Sequence, residues 1–374
     1  MPQVADTRAD VDLRALIRPA VREIPAYVRE EPPATATERV IRLDWNESPY
    51  GPSPKARAAL AGFDAFHRYP EIDAGQLRTA LGRYIGAPPS QVVPGAGLDD
   101  VLNTLALLLV EPGDRVIISE PTFGVYRTLF AIHGADVVNV PLTPDFQLDP
   151  DAIIAANDRR TKLVIVCNPN NPTGTLFDPG HVEQIVAQAA CLVAVDEAYA
   201  EFAGMSHRFL MARYSNVAIL RTMSKFAGLA GLRVGYGVFP EALMPHLLRV
   251  MPAFGNVGAA SSAAAIASLD DLPYLTEIVA RIVADRDALA LRLSSLPGVA
   301  PFPSMTNFLL VRLPVPSAAP IVARLANRGV FVRYFGRPEL GLLDCLRVST
   351  GTPEENMVLL DELTAALDEM GARP

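Results

Sequence analysis

The chain has 374 residues and half of them are hydrophobic, which allows a large domain with a smaller companion. Its net charge of -8 argues against a nucleic-acid or anionic-membrane partner, because both favour basic surfaces. Three scattered cysteines and five scattered histidines offer no disulfide framework and no metal-ligand spacing. No signal-peptide pattern and no run near ~18 apolar residues is present, so we expect a cytoplasmic protein without a membrane span.

The predicted elements begin with an N-terminal arm. Residues 1–46 contain several prolines and few periodic signals, and we assign them to this arm and to part of a small domain. From about residue 75 to 270, apolar runs such as RVIIS, KLVIVC, LVAVDE and NVAILR alternate with helical stretches. This alternation predicts an α/β domain with a mostly parallel central sheet flanked by helices, and we assign residues 47–270 to it. Loops at the carboxyl ends of such strands form ligand sites.

The pattern changes after Pro273. A long helical stretch is followed by the segments NFLLVRL, APIVARLANRG, VFVRYF and CLRVST and by a final helix from about Pro353. These features predict a smaller α+β domain over residues 271–374.

A lysine in an apolar setting is the first chemical clue. The chain has 33 basic residues, of which only three are lysines, and Lys225 lies in the run RTMSKFAGLAGLRVGYG, residues 221–237. Burial lowers the pKa of an amine and makes its neutral, nucleophilic form accessible. An amine can form a Schiff base with an aldehyde, whereas a guanidinium cannot. Lys225 is therefore a candidate nucleophile; the alternative is a surface lysine at a strand end.

Polar side chains follow two other apolar runs. Asp196 ends the run in VAVDEAY, and Tyr199 follows three residues later. A carboxylate at a strand end can hold a protonated pyridine nitrogen, to which Tyr199 could present its phenol, although a helix cap is the alternative. Asn171, in the loop CNPNNPTGT, can donate to a phenolate oxygen or form a simple Asn-Pro turn.

Two further segments indicate a phosphate and a flat ring. The stretch PGAGLDDVLNTLALLLV opens an apolar helix on a glycine-rich turn, and a helix N-terminus suits a phosphate, although an ordinary capped helix is the alternative. It lacks the third glycine of a dinucleotide fingerprint. Arg233 can pair with a phosphate beside the Thr222 and Ser224 hydroxyls, and Phe123 can stack on a ring. Together with Lys225, these segments describe a pocket for pyridoxal 5′-phosphate.

The order of the motifs resembles the fold-type I, class I/II aminotransferases, and most of all their histidinol-phosphate aminotransferase branch. The resemblance runs from LDWNESPYGPSP through RYPE, NPNNPTGT, VDEAY and RTMSKFAGLAGLRVGYG to LRVSTGT, nearly the whole chain. It implies a homodimer that uses pyridoxal phosphate and that takes a small-molecule amino donor and a 2-oxo acid acceptor.

The resemblance also implies roles for individual residues. Lys225 would bind the cofactor aldehyde and carry the proton removed from the substrate, and Asp196 would hold the pyridine nitrogen. Tyr199 and Asn171 would contact the ring hydroxyl oxygen, and Phe123 would stack on the ring. The implied phosphate contacts are the backbone amides of Gly97 and Leu98 and the side chains of Thr222, Ser224 and Arg233. The implied substrate residues are Tyr27, Asn46, Arg333 and Arg347, and Tyr69 would reach the partner subunit's cofactor.

Alternative functions use the same fold. An aromatic or broad-specificity amino-acid aminotransferase could bind a carboxylate through the same arginine. A phosphothreonine-type decarboxylase would release CO2 in place of a keto acid. A cofactor-sensing regulator would carry a DNA-binding domain ahead of the fold, and the roughly 40 residues at that position show no helix-turn-helix pattern.

Overall fold

The computed structural model describes residues 12–22, 24, 40–252 and 256–371. The helices in these residues are α1 (Pro19–Arg22), α2 (Pro54–Ala61), α3 (Gly75–Ile85), α4 (Leu98–Leu109), α5 (Val125–Ile132), α6 (Pro150–Ala156), α7 (Pro179–Gln188), α8 (Ala200–Ala203), α9 (Met244–Val250), α10 (Ala259–Leu269), α11 (Leu272–Ser294), α12 (Ala319–Asn327) and α13 (Pro353–Glu369). Short 3-10 turns lie between several of them.

Seven strands form the larger sheet. They are β2 (Val92–Ala96), β3 (Arg115–Ile118), β4 (Asp136–Asn139), β5 (Thr161–Cys167), β6 (Leu192–Asp196), β7 (Val217–Thr222) and β8 (Val234–Val238). Their spatial order is β2-β8-β7-β6-β5-β3-β4, and β8 runs antiparallel to both of its neighbours while the other pairs are parallel. The predicted mostly parallel sheet is confirmed.

Five strands form the smaller sheet. They are β1 (Ile41–Leu43), β9 (Ala300–Pro301), β10 (Phe308–Arg312), β11 (Val330–Tyr334) and β12 (Cys345–Ser349), in the order β1-β11-β12-β10-β9. β1 is parallel to β11, and the remaining pairs are antiparallel. Helices and mixed strands in this half match the predicted α+β class, so the predicted fold class as a whole is confirmed.

The apolar runs of the central strands are buried on both faces. In β5, Val164 and Val166 pack into one core layer, whereas Leu163 and Ile165 pack into the layer on the opposite face. Alternate side chains of a strand point to opposite faces, so a continuous apolar run is what a sheet covered on both sides requires. The helices that cover the sheet thereby hold the strand ends in fixed positions.

Helix α11 connects the two halves of the molecule. Leu275 and Ile282 in its first half pack in the core of the larger sheet, whereas Leu289 and Leu293 near its end pack in the core of the smaller sheet. The predicted domain boundaries at residues 46 and 270 stay predictions, and α11 contributes to both cores. None of the described helices combines the length and apolarity needed to cross a bilayer.

Candidate active site

The carboxyl ends of neighbouring parallel strands bring the predicted residues to one edge of the larger sheet. Asp196, the last residue of β6, is paired in register with Cys167 at the end of β5 and with Leu220 in β7. The loops that follow these strands carry Asn171, Tyr199 and Lys225. Segments far apart in sequence therefore meet at one place, as expected for this type of sheet.

Lys225 is half-buried and its amine points into the molecule. Its Nζ donates a hydrogen bond of 2.8 Å to the backbone carbonyl of Trp45, which follows β1 of the smaller sheet. Burial, with a further effect of the Arg347 guanidinium, lowers the pKa of Lys225 from 10.5 to about 8. A neutral amine is therefore accessible near neutral pH, which favours the predicted nucleophile over a surface lysine.

Asp196 is almost completely buried and is held by two donors. The Tyr126 hydroxyl donates to Oδ2 at 2.5 Å, and the Ala198 amide donates to Oδ1 at 3.0 Å. Burial raises the pKa of Asp196 to about 6, and these two hydrogen bonds oppose that rise. Burial makes the ionised Asp196 carboxylate energetically costly. Such a carboxylate is better explained by a cationic partner than by a helix-capping role.

The Tyr199 hydroxyl lies at the centre of a polar network. It accepts hydrogen bonds from Asn46 Nδ2 at 2.9 Å and from Asn171 Nδ2 at 3.3 Å. Arg347 Nη1 donates to Asn171 Oδ1 at 2.6 Å, so the network extends into the smaller sheet. The Tyr199 ring meets Phe308 edge to face, with 5.2 Å between ring centroids. The structure thus brings together four of the predicted residues, and the simple Asn-Pro turn does not account for the contacts of Asn171.

A compact cradle lies beside this network, at the start of α4. Gly97 has a positive φ of 87°, and a Cβ added to it would lie 2.2 Å from a guanidinium nitrogen of Arg233. A Cβ on Gly235 would lie 2.4 Å from the Leu98 amide nitrogen. Thr222 is paired with Gly235 in register, and its hydroxyl donates to the Ser224 hydroxyl at 3.0 Å. Only glycines fit this close approach.

Acidic side chains at the start of α4 have separate partners. Arg233 Nη2 donates to Asp99 Oδ2 at 3.1 Å, and both side chains are about half exposed. Asp100 Oδ2 accepts from the Ala96 amide and from Asn256, each at 2.9 Å. Asp100 thus stabilises the turn that leads into α4.

The remaining predicted residues lie at different distances from this network. Arg333 and Arg347 are directly paired across β11 and β12, which places their side chains on the same face of the sheet. Phe123 is half-buried and meets Tyr126 edge to face at 5.5 Å. Tyr69 is 80% exposed. Tyr27 lies outside the described residues.

The family model for aminotransferase class I and II matches residues 38–363, most of the chain. The chain belongs to this family. A histidinol-phosphate aminotransferase from Roseiflexus castenholzii is 43% identical over 367 residues, which cover 94% of this chain and 98% of that protein. One from Methanosarcina mazei is 37% identical over 352 residues, which cover 92% of this chain and 94% of that protein.

Solved structures agree with this membership. The crystal structure of histidinol-phosphate aminotransferase from Sinorhizobium meliloti in complex with pyridoxal-5′-phosphate has a TM-score of 0.81 and 30% identity to this chain, and covers 88% of it and 91% of that chain. An L-threonine-O-3-phosphate decarboxylase from Porphyromonas gingivalis, 22% identical with a TM-score of 0.76, shares the fold.

The polar groups of the candidate site fit pyridoxal phosphate. The cradle at Gly97 and Gly235 leaves no room for side chains, while amides, two hydroxyls and the Arg233 guanidinium surround it, as a phosphate requires. The buried Asp196 carboxylate suits a protonated ring nitrogen. Lys225 offers a half-buried amine whose pKa is lowered to about 8, as an imine-forming lysine requires.

Several residues of the candidate site were not predicted. Tyr126 holds Asp196, the Trp45 carbonyl accepts from Lys225, and Ser349 and Asn307 hold the backbone of Asn46 at 2.8 Å and 3.0 Å. Tyr126 lies in the same turn as Phe123, since its amide donates to the Phe123 carbonyl. The three-residue spacing from Phe123 was the sequence signal that could have indicated Tyr126. The other contacts join segments that are too far apart in the sequence for a local pattern to indicate them.

A buried ion cluster lies next to the ends of β6 and β7. Arg221 Nε donates to Glu197 at 2.9 Å and its Nη1 donates to Glu201 at 2.7 Å. Glu197 also accepts from the Ser206 hydroxyl and the His207 amide. Because Glu197 follows Asp196 and Arg221 precedes Thr222, this cluster fixes the relative positions of two strand ends of the site.

Proposed function

We propose that this chain is a pyridoxal-phosphate-dependent histidinol-phosphate aminotransferase of the cytoplasm. It would transfer the amino group of L-histidinol phosphate to 2-oxoglutarate, giving imidazole-acetol phosphate and L-glutamate, as a step of histidine biosynthesis. The observation that carries the substrate assignment is the direct pairing of Arg333 with Arg347, which puts two guanidinium groups on one face of the smaller sheet. Two cations on one face suit a substrate that carries a phosphate dianion.

The cofactor would be held at three places. The amides of Gly97 and Leu98 and the side chains of Thr222, Ser224 and Arg233 would hold its phosphate. Asp196 would hold the ring nitrogen, and Tyr199 and Asn171 the ring hydroxyl oxygen. Phe123 would cover the ring. When bound, pyridoxal phosphate supplies an aldehyde that captures the amino group and a ring that spreads the charge left at the substrate Cα.

The chain's own groups would manage the protons. Lys225, with its pKa lowered to about 8, would take the proton from the substrate Cα in its neutral form and would then donate it to the cofactor carbon C4′. Asp196 would keep a proton on the ring nitrogen by its charge. Asn46 and Asn171 both donate to the Tyr199 oxygen, so the phenol proton of Tyr199 is left to point toward a ligand. Arg347 and Arg333 would orient the substrate.

The partner in this proposal is a second copy of the chain. Phe66, Tyr69 and Ile72 are 73%, 80% and 69% exposed within one short segment. Grouped exposed apolar side chains of this kind typically mark an interface. Tyr69, on this exposed segment, would lie against the partner subunit's cofactor.

Subunit mixing tests the shared site. A Tyr69→Ala variant and a Lys225→Ala variant would each be inactive or impaired alone, but their hybrid dimer would hold one site with an intact Lys225 and an intact Tyr69. Random mixing of the two variants would then restore about a quarter of the native activity, as expected for a two-fold symmetric dimer. No recovery in a mixture that forms hybrid dimers would contradict a Tyr69 that acts across the interface.

Steady-state kinetics test the substrate. We expect kcat/KM for histidinol phosphate with 2-oxoglutarate to exceed that for phenylalanine by at least about a hundredfold, because about 3 kcal/mol of phosphate recognition is absent from phenylalanine. Equal values would favour a broad-specificity aminotransferase, and CO2 release in place of keto-acid formation would favour a decarboxylase.

A further inference from the structure

The side chain that supports Asp196 comes from a different element and is fully buried. Tyr126, in the first turn of α5, is 1% exposed, and its hydroxyl donates to Asp196 Oδ2 at 2.5 Å. The other carboxylate oxygen accepts from the Ala198 amide at 3.0 Å. Each oxygen of Asp196 therefore has a fixed donor, which sets the plane of the carboxylate at the end of β6.

The Tyr126 ring also contacts the residue predicted to cover the cofactor. Its centroid lies 5.5 Å from that of Phe123, with the rings at 86°. The same ring packs in the core layer on one face of the larger sheet. Tyr126 thus contacts the core of the larger sheet, Phe123 and the Asp196 carboxylate.

The charge environment explains why a neutral donor is suitable here. Burial raises the pKa of Asp196 to about 6, the bonds from Tyr126 and Ala198 lower it, and the charges of Asp99 and Glu197 raise it further. Burial also keeps the pKa of the Tyr126 phenol well above 10, so it stays a donor. A neutral donor stabilises the carboxylate without cancelling its charge. The titratable groups that face Asp196 are Tyr126, Cys167, Tyr199, Asp99 and Glu197.

We propose that Tyr126 is a positioning residue that keeps Asp196 ionised and oriented toward the ring nitrogen of the cofactor. The proposal rests on the proposed function for the identity of that ring. The hydrogen bond by which the Tyr126 hydroxyl holds the buried Asp196 carboxylate in its charged form does not depend on any cofactor. Orientation toward the cofactor and stabilisation of the charge can therefore be measured separately.

The first readout is the binding of pyridoxamine 5′-phosphate, which has no aldehyde and so cannot react with Lys225. In the full-length enzyme, affinity should fall as the pH drops through the Asp196 pKa of about 6. Tyr126→Phe should move this acid limb upward by about one pH unit, with binding about tenfold weaker on that limb. Tyr236→Phe is the matched control, because Tyr236 is equally buried and its hydroxyl has no hydrogen-bond partner among the described residues. The control should leave the limb in place.

The second readout needs no cofactor. In the cofactor-free protein above pH 6, Tyr126→Phe should lower the thermal midpoint markedly when Asp196 is present and much less in an Asp196→Asn background. Equal losses in both backgrounds, or a loss of affinity that is uniform with pH, would make Tyr126 a packing residue and overturn the proposal. Failure of the unaltered enzyme to bind pyridoxamine phosphate would instead refute the proposed function, and the thermal comparison would still decide whether Tyr126 holds the Asp196 charge.

Discussion

Arg347 Nη1 donates a hydrogen bond of 2.6 Å to Asn171 Oδ1, and this bond joins the smaller sheet to the loop that follows β5 in the larger one. Arg347 also donates to the Asp44 carbonyl, next to β1. Asn171 in turn donates to the Tyr199 hydroxyl. The guanidinium proposed to bind substrate therefore also orders a side chain proposed to bind cofactor, so substitutions of the two paired arginines should have different effects.

Arg333→Ala should affect the phosphate substrate alone. We expect kcat/KM for histidinol phosphate to fall by roughly 10- to 100-fold, the loss of one charged hydrogen-bonding group, while the low activity with phenylalanine stays nearly unchanged. Arg347→Ala, the control, should reduce activity with both substrates, because it also releases Asn171. Steady-state kinetics on both substrates measure this. Equal losses for both substrates in Arg333→Ala would argue against phosphate recognition by that residue.

Lys225 should react with electrophiles at unusually low pH. Since burial lowers its pKa to about 8, its neutral fraction should rise with pH around that value and not around 10.5. Brief labelling of the cofactor-free enzyme with acetic anhydride, followed by peptide mass spectrometry, would give this profile. Lys55 and Lys162, whose side chains are 56% and 42% exposed, serve as internal references in the same sample. A Lys225 midpoint near 10.5 would contradict the buried-amine interpretation.

Asp196→Asn should stabilise the cofactor-free protein and weaken the loaded one. The folded-state pKa of Asp196 is raised from 3.8 to about 6, so the ionised form costs folding free energy above about pH 6. Removing the charge should raise the free energy of unfolding by on the order of 1–3 kcal/mol above pH 6, and this increase should vanish as the pH falls toward 3.8. Thermal denaturation at pH 8 and pH 4.5 measures the difference.

The same variant should lose cofactor affinity. Without the carboxylate, the ring nitrogen has no anionic partner, so pyridoxamine phosphate should bind at least about tenfold more weakly and transamination should slow further. Near-normal turnover in Asp196→Asn would show that the ring does not depend on this charge. A stabilised but cofactor-poor variant would show that Asp196 is retained for function at a cost in stability.

Arg221→Met should destabilise the protein strongly. The substitution leaves Glu197 and Glu201 buried without their shared cation, and such a loss typically costs about 3–5 kcal/mol. Arg83→Met is a matched control: its ion pair with Asp270 at 3.0 Å is largely exposed, so less than about 1 kcal/mol should be lost. Urea denaturation measures both. Similar losses in the two variants would show that the buried cluster does not support the strand ends.

Local patterns were sufficient for the central strands and for selecting candidate groups in the strand-end loops. The apolar runs that form β3, β5, β6 and β7 are continuous because both faces of the sheet are covered. A continuous apolar run can be recognised from the sequence alone. Residue type at a strand end was equally informative. A lysine in a lysine-poor chain, and a carboxylate after an apolar run, indicated Lys225 and Asp196 before any contact was known.

Contacts across long sequence separations were beyond such patterns. Asn46 lies 153 residues from Tyr199, and Lys225 lies 180 residues from Trp45, yet each pair is joined by a direct hydrogen bond. Tyr126 was not predicted for another reason. A tyrosine in an apolar helix is typical of a core residue, and only the structure shows that its hydroxyl donates to Asp196.

The sequence by itself therefore determined the sheet, the order of the strands along the chain and the types of group at the strand ends, because periodicity and residue chemistry are local properties. Only the tertiary structure decided which groups share a hydrogen bond, how far burial moves the pKa of Lys225 and Asp196, and that Arg333 and Arg347 lie on one face. Those quantities depend on distance and on exclusion of water, and both arise only when the two sheets pack together.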